Sequence, residues 1–140
     1  MYQREYSVFE ANITMLGCTL FSSIPDSKLT AVGNWLNDCG AIDGWTVEEH
    51  CQRHNEDFAW LNAMVKTTAE DPPRKIVILT LSQATACQQQ PQARSFNGFA
   101  RSTQLGQLPV KPWAFGHTHY TCVLADKGTG ERAYTNQTGY

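Results

Sequence analysis

Two histidines near the carboxyl end of the chain have a spacing that suits metal ligands. They occur in Gly116-His117-Thr118-His119, directly after Trp113 to Gly116, a run that predicts a short strand. In α/β folds ligands collect at the carboxyl ends of strands, so two imidazoles there are well placed to meet at a metal. Glycine allows the tight turn that aims both rings at one place. We therefore take His117 and His119 as candidate metal ligands, against the alternative of ordinary hydrogen-bonded imidazoles.

Two weaker candidates lie elsewhere. His50 and His54 form H-x-x-x-H within a helical pattern, with Asp57 three residues later on nearly the same face. This spacing suits zinc, but a buried histidine that makes one satisfying hydrogen bond is the more common outcome. Ser82 follows an apolar run and invites a nucleophile interpretation, yet it has no base nearby and no G-x-S-x-G setting. We assign no catalytic residue.

The elements that must position these residues follow from hydrophobic patterning. Ile13 to Phe21 and Lys75 to Leu81 are nearly continuous in apolar and β-prone residues, which predicts strands buried on both faces. Between them, Thr46 and Glu49 form a capping box that predicts a helix start, and Asp71-Pro72-Pro73 ends the helix. Its predicted buried stripe is Val47, Cys51, His54, Phe58, Leu61 and Val65.

The remaining segments are less strongly patterned. Lys28 to Asn37 predicts a short helix that ends at Asp38-Cys39-Gly40. The region 83–108 predicts a mobile surface loop. Cys122 to Asp126 and Arg132 to Asn136 predict a carboxyl-terminal hairpin. Strand–helix–strand order then favours an α/β fold with a mixed sheet and flanking helices, in one domain over residues 1–140.

Composition excludes several classes of protein. An apolar fraction of 41% and a charged fraction of 17% are typical of a folded globular chain. The net charge is -2 and the basic residues are scattered, so we expect neither a nucleic-acid partner nor membrane binding. Five cysteines without a C-x-x-C pair, and an amino terminus without an apolar signal segment, favour a reduced, intracellular protein in the cytoplasm.

Several segments together resemble one known family. Trp113-Ala114-Phe115-Gly116-His117-Thr118-His119-Tyr120 resembles the last metal motif of calcineurin-like metallophosphoesterases, in their fungal small-protein branch. Further similarity, in the same order, is found in LGCTLFS at 16–22, DGWTVE at 43–48, WLN at 60–62 and NQTGY at 136–140. The resemblance implies the carboxyl-terminal half of a four-layer αββα sandwich. It also implies phosphate-ester hydrolysis with divalent metals such as Mn, Fe, Zn or Mg.

The other metal motifs of that family are missing from this chain. The family's D-x-H, G-D and G-N-H motifs belong to an amino-terminal half that these residues do not include. No Asp-x-His occurs, and Gly33-Asn34-Trp35 has tryptophan where histidine is required. After the strand Ile76 to Thr80 the family usually has Thr-His, whereas this chain has Thr80-Leu81.

Electrostatics indicates how serious that loss is. Two dications about 3.7 Å apart repel by roughly 18 kcal/mol at an effective dielectric of about 20. Anionic ligands offset this repulsion, but two neutral imidazoles cannot. We therefore expect His117 and His119 to hold at most one weakly bound ion, which predicts a truncated, inactive member of a hydrolase family, a pseudoenzyme.

Two alternatives stay open. A separate polypeptide that supplies the missing half would restore an active hydrolase, or the chain is a non-enzymatic binding or scaffold module. Half of a sandwich leaves a sheet face uncovered. We therefore also expect a homodimer or a partner that provides the missing half.

Overall fold

The computed structural model describes residues 3–21, 24–33, 36–70, 74–81, 110–116, 122–125 and 132–135. The described strands are β1 (Arg4–Val8), β2 (Ile13–Cys18), β3 (Lys75–Thr80), β4 (Val110–Phe115), β5 (Cys122–Ala125) and β6 (Arg132–Thr135). The helices are α1 (Leu29–Gly33), α2 (Asn37–Ala41) and α3 (Val47–Ala69), with 3₁₀ turns at Phe9–Ala11 and Asp26–Lys28.

The six described strands form one mixed sheet in the order β1-β2-β3-β4-β6-β5. Strands β2, β3, β4 and β6 run parallel to one another, while β1 and β5 are antiparallel strands at the two sides. The carboxyl ends of the four parallel strands therefore meet along one edge of the sheet. We call it the carboxyl edge.

One face of the sheet is covered by α3. Every second residue of the central strands points to that side, and these side chains form one buried cluster with Leu61 and Val65 of the helix. These side chains form the core: Leu16, Cys18, Ile76, Ile78, Trp113, Phe115 and Ala133. Burial of each large aliphatic side chain contributes about 1.5–3 kcal/mol, so this layer accounts for most of the cohesion between helix and sheet.

Helix α3 begins where the sequence predicts. The Thr46 hydroxyl accepts a hydrogen bond from the Glu49 N–H at 3.1 Å, as half of the predicted capping box. The second half is wrong, because the Glu49 carboxylate instead pairs with Arg53 one turn later, at 2.8 Å. The pKa of Glu48 is lowered, first by a hydrogen bond from its own N–H and then by one with Thr46.

The buried side of α3 differs from the predicted stripe. The buried residues are His50, His54, Asp57, Leu61, Val65 and Thr68. Val47 and Cys51 are half-buried, so the helix is rotated towards its polar residues. The reason is that His54 and Asp57 find backbone partners beneath the helix, as described below.

The two central strands are buried on one face only, contrary to the prediction. In β3, Ile76 and Ile78 are fully buried, while Leu79, on the other face, is 39% exposed. The apolar runs gave no sign of this, because hydrophobicity alone does not show whether a second layer is present. Strand β2 also ends earlier than predicted, since Leu20 has a φ of 49°, outside the β region.

Other boundaries also differ from the predictions. The predicted helix 28–37 is two short helices, and Asp38–Gly40 lies inside α2. The amphipathic pattern did not predict β1, which is short and mostly exposed. The predicted loop 83–108 and the turn of the carboxyl-terminal hairpin lie outside the described residues, while both hairpin strands are confirmed.

Proline occurs inside β4, which is an internal strand. Between Ile76 and Ile78 of β3, the facing strand advances by three residues, from Val110 to Trp113. This extra residue is a bulge next to Pro112, which has no N–H to donate to the sheet. Strand β4 starts at Val110, earlier than the sequence predicts. After the bulge, β3 and β4 pair residue for residue from Ile78 and Trp113 up to the carboxyl edge.

Candidate functional site

The carboxyl edge brings β2, β3 and β4 into register at their last residues. Cys18 pairs with Thr80, and Thr80 pairs with Phe115. Beneath this edge, on the α3 side, the indole N–H of Trp113 donates to the Thr80 hydroxyl at 3.0 Å. Both side chains are buried, so the bond fixes the two strand ends relative to each other.

The hydrogen-bond ladder continues one residue beyond the strands. The Leu81 N–H donates to the Cys18 carbonyl at 3.3 Å, and the Gly116 N–H donates to the Leu81 carbonyl at 3.1 Å. The first residue of the Gly-His-Thr-His motif is therefore joined directly to position 81, where the resemblance described above leads one to expect histidine. In this chain that position holds Leu81, which is 46% exposed and has no ligand atom.

The predicted ligands themselves cannot be placed. His117 and His119 follow Gly116 but lie outside the described residues, as does Ser82. Within the described ranges, no group of three or more His, Cys, Asp or Glu side chains converges as a metal site. The donors that the structure describes thus do not fit a complete dinuclear centre, and no metal-dependent step is derived from them.

The segment after β2 is held by α3 instead of being open to a ligand. The Asp57 carboxylate accepts the Leu20 N–H at 2.7 Å and the Gln3 side-chain amide at 3.1 Å. Leu20 is fully buried and adopts a left-handed φ of 49°, which is unfavourable for a leucine. A charged acceptor for its N–H therefore stabilises a backbone conformation that the residue does not favour.

His54 completes this anchoring. Its Nδ1 hydrogen-bonds to the Phe21 carbonyl, so Nδ1 carries the proton, and its ring stacks on Phe58 at a centroid distance of 5.8 Å. His50, one turn earlier, contacts the Phe21 ring at 5.0 Å and lies 3.9 Å from the Asp38 carboxylate. The H-x-x-x-H pattern and Asp57 therefore hold a loop in place, in agreement with the structural alternative to a zinc site.

Cys18 ends β2 at the carboxyl edge but is unsuitable as a thiolate ligand. Burial, and secondly the negative charge of Asp57, raise the pKa of its thiol from 9.0 to about 12. The side chain is fully buried in the core. Cys18 therefore remains a protonated thiol at neutral pH and acts as a small apolar core residue.

Comparison with known proteins gives one informative match. The chain matches no known family profile and no curated protein. Among solved structures it is similar to a dimetal phosphatase from Danio rerio, with a TM-score of 0.57 and 17% sequence identity. The match covers 96% of this chain and 48% of the phosphatase chain.

This chain has the fold of part of a dimetal phosphatase. The predicted partial phosphoesterase-like α/β fold is thereby confirmed. At 17% identity the likeness shows the fold alone, and the chain spans about half the length of that structure. Its assignment to a fungal branch and to the carboxyl-terminal half remains a prediction. None of the described helices is long and apolar enough to span a bilayer.

Sequence reasoning missed the role of Asp57 and Gln3. The sequence pattern presents Asp57 only as a third metal ligand, although its position three residues after a buried histidine also suits a contact with backbone. The left-handed Leu20 that requires this contact carries no sequence signal, because neither glycine nor asparagine marks the position.

Proposed function

We propose that this chain is a half-domain of metallophosphoesterase descent that does not hydrolyse phosphate esters by itself. The observation that carries the proposal is the bonded pair at the carboxyl edge, where Gly116 of the surviving motif meets Leu81 in place of a ligand. The similar fold of a dimetal phosphatase supports the descent.

The proposed metal chemistry of this chain is limited to one weakly held divalent ion, Mn, Fe, Zn or Mg, on His117 and His119. Leu81 removes the neighbouring imidazole, and α3 uses Asp57 and His54 to hold the loop after β2. Cys18 is a buried thiol. Among the described residues near the ends of β2 and β3, each candidate metal ligand is therefore missing, is a buried protonated thiol, or is hydrogen-bonded to the backbone.

Complementation by a separate amino-terminal half is the second candidate function. It is favoured by the extent of the structural match, which covers nearly all of this chain but about half of the phosphatase. A second polypeptide that brought carboxylates to the carboxyl edge would supply the anionic ligands that a dinuclear centre needs. In that case His117 and His119 contribute to an active hydrolase.

The direct test is a turnover assay on the purified 140-residue chain with manganese. We expect no hydrolysis of p-nitrophenyl phosphate, or of the bis(p-nitrophenyl) ester, above that of buffer. His117→Ala serves as the matched variant, and Thr118→Ala as its control within the same motif. Robust turnover that His117→Ala abolishes and Thr118→Ala preserves would overturn the inactive interpretation.

A further inference from the structure

The sheet face opposite α3 is apolar and partly exposed. One register-paired row crosses all six described strands on this side, which we call the open face: Arg4, Gly17, Leu79, Ala114, Tyr134 and Val123. Tyr6, Met15 and Val77 form a parallel row one pleat away. The open face thus extends over the whole width of the sheet.

Exposure distinguishes this face from the one under α3. Tyr6 is 67% exposed, Val123 65% and Leu79 39%, whereas Ile76 and Ile78 on the other side are fully buried. Contiguous apolar surface on one side of a sheet is typical of a face that packs against another layer. Gly17 and Ala114 at its centre are small, which allows close approach of that layer.

The charged residues that the described strands place on the open face are all cations: Arg4, Lys75 and Arg132. Lys75 and Arg132 lie at the amino ends of their strands, and Arg4 lies at the carboxyl edge. Arg132 forms a hydrogen bond with the Tyr134 side chain, which raises the pKa of the guanidinium and confirms that both residues share this side. The described strands contain a single carboxylate, Glu5, which is paired with Leu16 on the α3 side.

This charge pattern discriminates between two possible occupants. A second copy docked through its own open face would place cations against cations, with no carboxylate from the described strands to pair with them, and like charges across an interface are unfavourable. A different polypeptide with an acidic rim would pair with all three cations. The similar phosphatase chain contains about as much polypeptide outside the matched region as inside it, which is enough for such a layer.

We propose that the open face binds a separate polypeptide layer that is apolar at its centre and rimmed by aspartate and glutamate side chains. The occupant is therefore a different surface and not a second copy. The proposal depends on the sheet and its charges, and is independent of metal binding by His117 and His119.

The probe is this same chain with Arg4→Glu, Lys75→Glu and Arg132→Glu, which presents the identical apolar face with an acidic rim. Sedimentation is measured for the wild-type chain, for the probe and for their equimolar mixture, at low and high salt. We expect the mixture to associate roughly tenfold more tightly than either chain alone, and salt to reduce that advantage.

Two matched controls locate the contact. A chain with Lys28→Glu, Arg53→Glu and Lys66→Glu has the same net charge as the probe, but its exposed substitutions lie on the helices. It should not associate with the wild-type chain. Leu79→Glu in both partners should abolish association of the mixture, since it places charge in the centre of the open face.

Three results would overturn the proposal. Self-association of the wild-type chain as tight as that of the mixture at low salt would make a second copy the occupant. Absence of association in the mixture at any attainable concentration would show that the open face does not dock an acidic-rimmed partner. Equal association with the helix-substituted control would show that net charge, and not this face, drives binding.

Discussion

Two neighbouring parts of the carboxyl edge use their polar residues in opposite ways. After β2, the buried Asp57 and His54 hydrogen-bond to the backbone of Leu20 and Phe21. After β3 and β4, the backbones of Leu81 and Gly116 bond to each other, and the Leu81 side chain is 46% exposed. One part is rich in polar groups that are fully engaged. The other joins backbone to backbone, and its described residues Leu81 and Gly116 carry no side-chain ligand atom.

The comparison shows that ligand-like spacing on a helix does not by itself identify a metal site. His50, His54 and Asp57 have the spacing of a zinc site, yet two of them serve the backbone of a strained loop. Leu81 has no ligand atom, yet its carbonyl accepts the N–H of Gly116, the first residue of the predicted metal motif. Whether a polar side chain can bind a metal depends on whether its polar atoms are already hydrogen-bonded to neighbouring backbone groups.

The largest expected effect is a loss of stability when the contacts that hold the segment after β2 are removed. Asp57→Ala removes the acceptor of the buried Leu20 N–H, so the free energy of unfolding should fall by about 3 kcal/mol. Urea denaturation measures the change. Asp57→Asn retains an oxygen acceptor and should lose about 1 kcal/mol, while Glu56→Ala on the exposed side of α3 should change stability by no more than about 0.5 kcal/mol. Equal losses for Asp57→Ala and Glu56→Ala would contradict the anchoring role.

A second prediction uses pH to test the state of Cys18. Its thiol has a pKa of about 12 in the fold and 9.0 as the ordinary value, so the unfolded chain loses this proton first. Stability from this group is complete below pH 9 and declines as pH rises towards 12. Between about pH 9 and pH 11 the wild type should lose about 2 kcal/mol more stability than Cys18→Ala. An identical pH dependence for the two chains would show that Cys18 is not held as a buried thiol.

The smallest expected effect is a gain in zinc affinity at the end of β3. Leu81→His restores an imidazole next to Gly116 and should raise zinc affinity roughly tenfold, because a third nitrogen ligand joins His117 and His119. Leu79→His is the matched control, since that leucine is similarly exposed but lies about 7 Å back along the strand. Thermal unfolding with and without zinc measures the gain. An equal gain for Leu79→His would contradict the assignment of position 81.

The sequence predicts the order of most elements well, because hydrophobic period and capping chemistry are local. The start of α3 at Thr46 and both hairpin strands follow from a few neighbouring residues. The rotation of α3 is not predictable in this way. It depends on contacts of His54 and Asp57 with the loop after β2, more than thirty positions away.

The open face and the candidate site differ in which of their features the sequence predicts. A half-sandwich with an uncovered face was expected from the resemblance, and the exposure of Leu79 and Val123 agrees with it. The cation-only charge pattern required the strand register, because residues far apart in sequence share that side. At the site, Leu81 was identified from the family motif, but its bond to Gly116 required the structure.

Calorimetric titration of the wild-type chain with manganese and with zinc tests the central claim most directly. If the carboxyl edge lacks the ligands for a dinuclear centre, at most one weakly bound ion per chain should appear, and the double substitution His117→Ala, His119→Ala should remove it. Two tightly bound ions per chain would contradict the account.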